Sequence, residues 1–264
     1  MFGITKNSNA QKKREDGEKP FWISFSDLMS SLMVLFLISM TVALLAVTNE
    51  PDITAKEEAD RSKAIADFMS EIKNILTTEE FKGVRVDGTT IDFGVRGTFE
   101  REGQNTLSPE QSQMLRSFTP KLLEKLRTTN AGRIWFKRAI VEGYASKTGT
   151  YLFNLNLSLE RSQRVLCELL REPANISEKA FSTEDRKLIA TKFFVGGASF
   201  NSLRSGDGAQ SRRIEFKLEF RTRQEKISEE SSPAPQLNDA ELNNALNPRE
   251  KCPIFDRSAT SNAS

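Results

Sequence analysis

A chain of 264 residues with 38 basic and 36 acidic side chains has room for one sizeable soluble domain beside an anchoring segment, and its net charge of +2 argues against a nucleic-acid partner. It contains no histidine, which removes histidine-based triads, histidine-ligated metals and imidazole pH sensing. Its two cysteines, Cys167 and Cys252, stand too far apart in sequence for a redox dithiol or a zinc knuckle. No catalytic residue, metal or other cofactor is called for, and an enzyme is disfavoured.

Residues 1–20 form a short basic N-terminal segment, with Lys6, Lys12, Lys13, Arg14 and Lys19 against Asp16 and Glu18. Residues 49–61 carry five acids and two bases, so the positive-inside rule predicts a cytoplasmic N-terminus and an outer location for everything after the span. That span is predicted over 21–48. Phe21 to Val47 holds a single charged residue, Asp27, whereas a hydrocarbon core about 30 Å thick needs roughly 20 apolar residues. The apolar run is too long for a cleaved leader and lacks a small-residue cleavage site, and no cysteine lies near the N-terminus to carry a lipid.

A carboxylate in such a helix costs on the order of 2.5–3.5 kcal/mol, so Asp27 should face protein or water. At 100° per residue Ser24, Ser30, Ser31 and Thr41 fall within about 60° of it, making one polar stripe on an otherwise apolar cylinder. Partner helices are implied, with Asp27 as a protonatable site on an ion path. The alternative is an acid placed low enough to snorkel to the cytoplasmic headgroups.

Residues 49–77 read as an amphipathic linker helix. Ile65, Phe68, Met69, Ile72, Ile75 and Leu76 recur at three-and-four spacing, a stripe that suits packing on its own domain or on a second copy of the chain.

Over 78–222 the pattern becomes mixed α and β. Asp87-Gly88 between Val84–Val86 and Thr89–Phe93 predicts a hairpin. Ser108-Pro109-Glu110-Gln111 supplies an N-cap, a proline at the first helical position and a capping-box glutamine for a helix running to about Leu126. A strand is predicted over Ile134 to Glu142, a helix over Leu155 to Arg171, a shorter one over Glu184 to Ala190 and a strand over Lys192 to Gly196. Arg213 to Phe220 alternates strictly and should bury one face. The fold class expected is α+β: one transmembrane helix, a linker helix, an α/β sandwich and a disordered tail over 223–264, where composition shifts to Gln, Glu, Ser, Pro and Asn. Within that tail only Cys252-Pro253-Ile254-Phe255 is apolar enough to dock.

Two stretches carry a resemblance. Residues 22–37, WISFSDLMSSLMVLFL, are similar to the single transmembrane helix of MotB-type stator subunits, and Asp27 falls on that family's ion-carrying aspartate. Gly143-Tyr144-Ala145-Ser146, then Asn154-Leu155-Asn156-Leu157-Ser158-Leu159-Glu160-Arg161, then Ser211-Arg212-Arg213-Ile214-Glu215 resemble the strand end, helix and closing strand of the OmpA-like peptidoglycan-binding domain. Thr98-Phe99-Glu100 to Leu107 is similar to that family's approach to its first helix.

The resemblance implies a wall site in which Arg161 pairs with a stem-peptide carboxylate, Asn154 binds a stem amide or carboxylate, and Phe153 and Leu157 wall the pocket. Ser146 stands where the family has an aspartate, so the usual amine partner is missing, or Glu142 or Lys147 reshapes the site. The alternative for Arg161 is a surface residue paired with Glu160 or Glu168.

The FWISFSDLM start and the compact spacing from Asp27 to the binding motif look most like the MotB-like subunit of Zorya anti-phage defence systems. That implies a homodimer within five copies of a MotA-like multi-span partner, bound to peptidoglycan. A flagellar-type stator subunit, a passive membrane-to-wall tether and a force transducer are the competing readings. An oxidising periplasm would let Cys167 and Cys252 pair, or leave them as two thiols.

Overall fold

The computed structural model describes residues 19–257, apart from 175–177, 179, 205–207, 234 and 236. Residues 1–18 and the last part of the tail, 258–264, lie outside the described residues. Two compact units divide the chain, one ending at Glu57 and the other beginning at Glu58.

The first unit contains the N-terminal part of α1 (Lys19–Ile75). Ser24–Ala46 is long and apolar enough to cross a membrane, at 23 residues with mean hydropathy 2.4. It would rise about 34 Å at 1.5 Å per residue.

The second unit starts with the C-terminal part of α1. There the apolar stripe packs on its own domain: Phe68, Met69, Ile72 and Leu76 are buried in the same core as the sheet. Phe68 meets Phe220 edge-on at 5.8 Å between ring centroids.

The sheet has five strands in the order β1-β2-β5-β3-β4. β1 (Arg85–Asp87) and β2 (Thr90–Asp92) form the hairpin, with Asp87 opposite Thr90 and Gly88 at φ 56°, the left-handed conformation this turn requires. α2 (Pro109–Thr128) opens on the capping box: Ser108 Oγ accepts from Gln111 N, and the Gln111 side chain accepts from Ser108 N. Its apolar residues Met114, Leu115, Phe118, Leu122, Leu123 and Leu126 are all buried.

β3 (Phe136–Gly143) begins two residues later than the sequence suggests, because Ala131–Trp135 makes a wide helical turn first. α3 (Tyr151–Leu170) begins four residues earlier than suggested, since Thr150 caps it by accepting from Phe153 N. α4 (Thr183–Lys192) is capped by Ser182 and leads into β4 (Phe193–Gly197), which pairs parallel with β3.

A short helix, α5 (Gly208–Ser211), precedes β5 (Ile214–Phe220), which runs antiparallel to both β2 and β3. Ile214, Phe216 and Leu218 of β5 face the core. There Phe81, Phe93, Phe118 and Phe216 interlock edge-to-face, with Phe93 and Phe216 4.8 Å apart.

Beyond β5 come α6 (Arg223–Ser231) and α7 (Asp239–Ala245), neither with a buried residue. Residues 246–257 then return to α3. Cys252 is disulfide-bonded to Cys167, their Cα atoms 5.5 Å apart.

Candidate functional site

In the first unit, Asp27 is the only charged residue of the apolar stretch, and it meets no cation among the described residues. Ser30 and Ser31 donate to the carbonyls four residues back, at 2.8 Å each, and Thr41 does the same to Leu37. These hydroxyls satisfy themselves on their own helix while keeping acceptor lone pairs, so the stripe that includes Ser24 can meet a polar partner without leaving orphan donors in lipid.

In the second unit, the loop from β3 to α3 meets α3 where most of the residues expected at a wall site lie, through the Thr148 carbonyl on Asn154 and the Tyr144 carbonyl on Arg161. The end of β3 comes so close to α3 that a Cβ on Gly143 would lie 2.0 Å from the Ser158 carbonyl and 3.3 Å from Arg161 Cβ. Only glycine fits there. Ser158 Oγ accepts from Ser199 N at 3.0 Å and ties β4's exit to the same point.

Arg161 is fully buried rather than on the surface. Its Nε donates to the Gln104 carbonyl (2.8 Å), its Nη1 to the Tyr144 carbonyl (2.7 Å), and its guanidinium lies 4.5 Å over the Phe99 ring. Its Nη2 is buried with no acceptor. Burial, with the Arg212 charge nearby, pushes its pKa down to about 9, which leaves it cationic at neutral pH. Neither acid weighed as a surface partner holds it: Glu160 pairs with Arg257, and Glu168 with Arg171 and Arg116.

Asn154 is buried and donates to the Thr148 carbonyl at 2.8 Å. Leu157 and Ser146 are buried, and Phe153 is 43% exposed, leaving an accessible aromatic edge beside the site. Glu142 is taken up by Lys217 and by the Tyr144 hydroxyl, and Lys147 is exposed.

One further cation belongs to this cluster. Arg212 is buried and donates from Nε to the Phe99 carbonyl (2.9 Å) and from Nη2 to the Glu100 carbonyl (2.7 Å). The Ser211-Arg212-Arg213 motif was its sequence signal. The cluster thus brings two guanidiniums together near Ser146, with Glu102 3.9 Å from Arg212 Nη1. Such a set favours an anionic ligand.

No protein-family model matches the chain. Among curated proteins it is similar to the Zorya protein ZorB of Escherichia coli O139:H28 (strain E24377A / ETEC), at 36% identity over 224 residues, which cover 83% of this chain and 88% of that protein. Among solved structures it is similar to the OmpA-like domain of FopA1 from Francisella tularensis subsp. tularensis SCHU S4, at 18% identity over 53% of this chain and 82% of that one, with a TM-score of 0.33. It is also similar to a periplasmic domain of Helicobacter pylori MotB, at 14% identity over 59% and 93% of the two chains, with a TM-score of 0.38.

Proposed function

The chain belongs to the ZorB family of Zorya proteins, and from that premise we propose that it is the peptidoglycan-anchored, proton-conducting stator-type subunit of an ion-driven complex in anti-phage defence. In this reading the Ser24–Ala46 helix crosses the inner membrane once, with the N-terminus in the cytoplasm and the second unit in the periplasm. Two copies sit within five copies of a MotA-like, ZorA-like multi-span partner.

The observation that carries the ion path is Asp27, the lone charge in a 23-residue span. A carboxylate that costs about 2.5–3.5 kcal/mol to insert is retained where it can load and release a proton between two aqueous faces. Each charge crossing 100 mV supplies about 2.3 kcal/mol, so a few protons bias the cycle of the surrounding helices. At the wall, the orphan Nη2 of Arg161 is offered to a stem-peptide carboxylate, with Asn154 and Arg212 alongside and Phe153 and Leu157 as apolar walls. With Ser146 in place of an acid, the site reads carboxylates more than amines.

The test is Asp27→Asn, which keeps shape and hydrogen-bonding capacity and removes the titration. Membrane insertion, assembly with the partner and sedimentation with sacculi should be unchanged, while phage protection is lost. Full protection by Asp27→Asn would overturn proton conduction and leave a tether.

A further inference from the structure

The C-terminal residues 246–257 form a strap across α3 that is held at discrete points. The Pro248 carbonyl accepts from Glu172 N at 3.0 Å, Cys252 is bonded to Cys167, and Arg164 Nη2 donates to the carbonyls of Ile254 (3.2 Å) and Phe255 (3.3 Å). Between these points a cavity of about 930 Å³, lined by Leu107, Leu166, Leu170 and Val195 among others, separates strap from helix.

Its last described residue reaches the wall site. Arg257 Nε and Nη2 grip Glu160 at 2.5 and 2.8 Å, its backbone N donates to Asn105 Oδ1 at 3.1 Å, and its guanidinium stands 5.5 Å over the Phe153 ring. Asn105, fully buried, donates in turn to Glu160 Oε2 (2.9 Å) and to the Phe255 carbonyl (2.8 Å). Glu160 and Arg161 are consecutive in α3, and Gln104 and Asn105 are consecutive in the facing loop. The Arg161–Gln104 and Glu160–Asn105 bonds thus staple the same two-residue pieces together, and Arg257 closes over the second staple. Removing the Arg257 side chain takes away the cation that holds Glu160, the carboxylate that anchors the buried Asn105 amide, and so loosens the loop whose Gln104 carbonyl orients Arg161.

We propose that the strap is part of the wall-binding site: Arg257 is a positioning residue for Arg161, and the Cys167–Cys252 disulfide keeps it in place. The proposal rests on the reading of Arg161 as the stem-peptide residue. It makes strong wall binding conditional on an oxidised cystine, and so on an oxidising compartment.

The experiment uses the full chain in detergent micelles, titrated with isolated sacculi well below every variant's melting midpoint. Arg161→Ala should abolish binding. Arg257→Ala should weaken it about tenfold, the weight of one charge-assisted hydrogen bond, and Arg257→Lys should recover most of that. A purely structural effect would not distinguish these two by charge. Dithiothreitol, which reduces the cystine to two thiols as it closes to its own cyclic disulfide, should reproduce the Arg257→Ala loss in the wild type and add nothing in Cys252→Ser.

Wild-type and Arg257→Ala binding that agree within twofold, with Arg161→Ala still inactive, would overturn the strap's role while the wall site stands. Wild type that stays in the supernatant would overturn both.

Discussion

Glu160 and Arg161 are neighbours in α3 that the structure sends to different tasks. Arg161 turns inward, where Phe99, Gln104 and Tyr144 replace water around a charge and leave one donor, Nη2, without an acceptor. Glu160 stays near the surface and is claimed by Arg257, Asn105 and Asn156. Burial alone would raise its pKa, but hydrogen bonds from Arg257 and Asn105 outweigh that and hold the carboxyl below the usual carboxylate range. A group depressed in the folded state stabilises above its unfolded pKa, about 4.3, and loses that contribution as pH falls through the lower folded value. The Asn105 side-chain amide resonance, followed from pH 6 to strong acid, should therefore shift with a midpoint below the free-glutamate value. A midpoint at or above the free-glutamate value would contradict the clamp. Arg161's inward turn could not be read from its sequence position, because a helix pattern marks Leu157 and Val165 as inward but does not say that an arginine between them is solvated by carbonyls.

At the scale of elements, the C-terminal part of α1 is the instructive case. Its apolar stripe was evident from spacing, yet a stripe reads the same whether it will meet its own sheet or a second copy. In the structure Phe68 and Ile72 are essentially inaccessible, packed in the same core as Phe220 and its neighbours. Phe68→Ala should then cost about 3–5 kcal/mol and Ile72→Ala about 2–5 kcal/mol. The exposed Lys63→Ala in the same helix should stay within about 0.5 kcal/mol. Urea unfolding monitored by circular dichroism checks this, and a Phe68→Ala loss under about 1 kcal/mol would mean that this stripe is reserved for another chain. The capping box at Ser108 and the strict alternation of β5 were legible because their physics is local.

For the molecule as a whole, the two units make complementary demands. The span presents Leu, Met, Phe and Val around most of its surface and one acid on a polar stripe, so a lone copy would leave Asp27 in lipid. Partner helices remove that cost, and the proposed assembly supplies them as two copies of this chain inside five of the multi-span partner. Native mass spectrometry of the detergent-extracted complex should find that ratio, and a single copy of this chain per complex would refute the dimer.

What the sequence determined by itself was set by runs and periods: the apolar length of the span with Asp27 in it, the hairpin at Asp87-Gly88, the start of α2 at its capping box and the alternation of the last strand. It also marked Asn154 to Arg161 and Ser211 to Glu215 by resemblance, though these segments lie about fifty residues apart. Tertiary structure alone decided what those segments share. Gly143 admits α3 close enough for Arg161 to reach the Tyr144 carbonyl, Arg212 joins through Phe99, and Arg257 arrives from a tail whose composition gave no periodic signal. The reason is physical. Local propensity depends on neighbours along the chain, whereas a buried guanidinium depends on which carbonyls the closed fold brings to it.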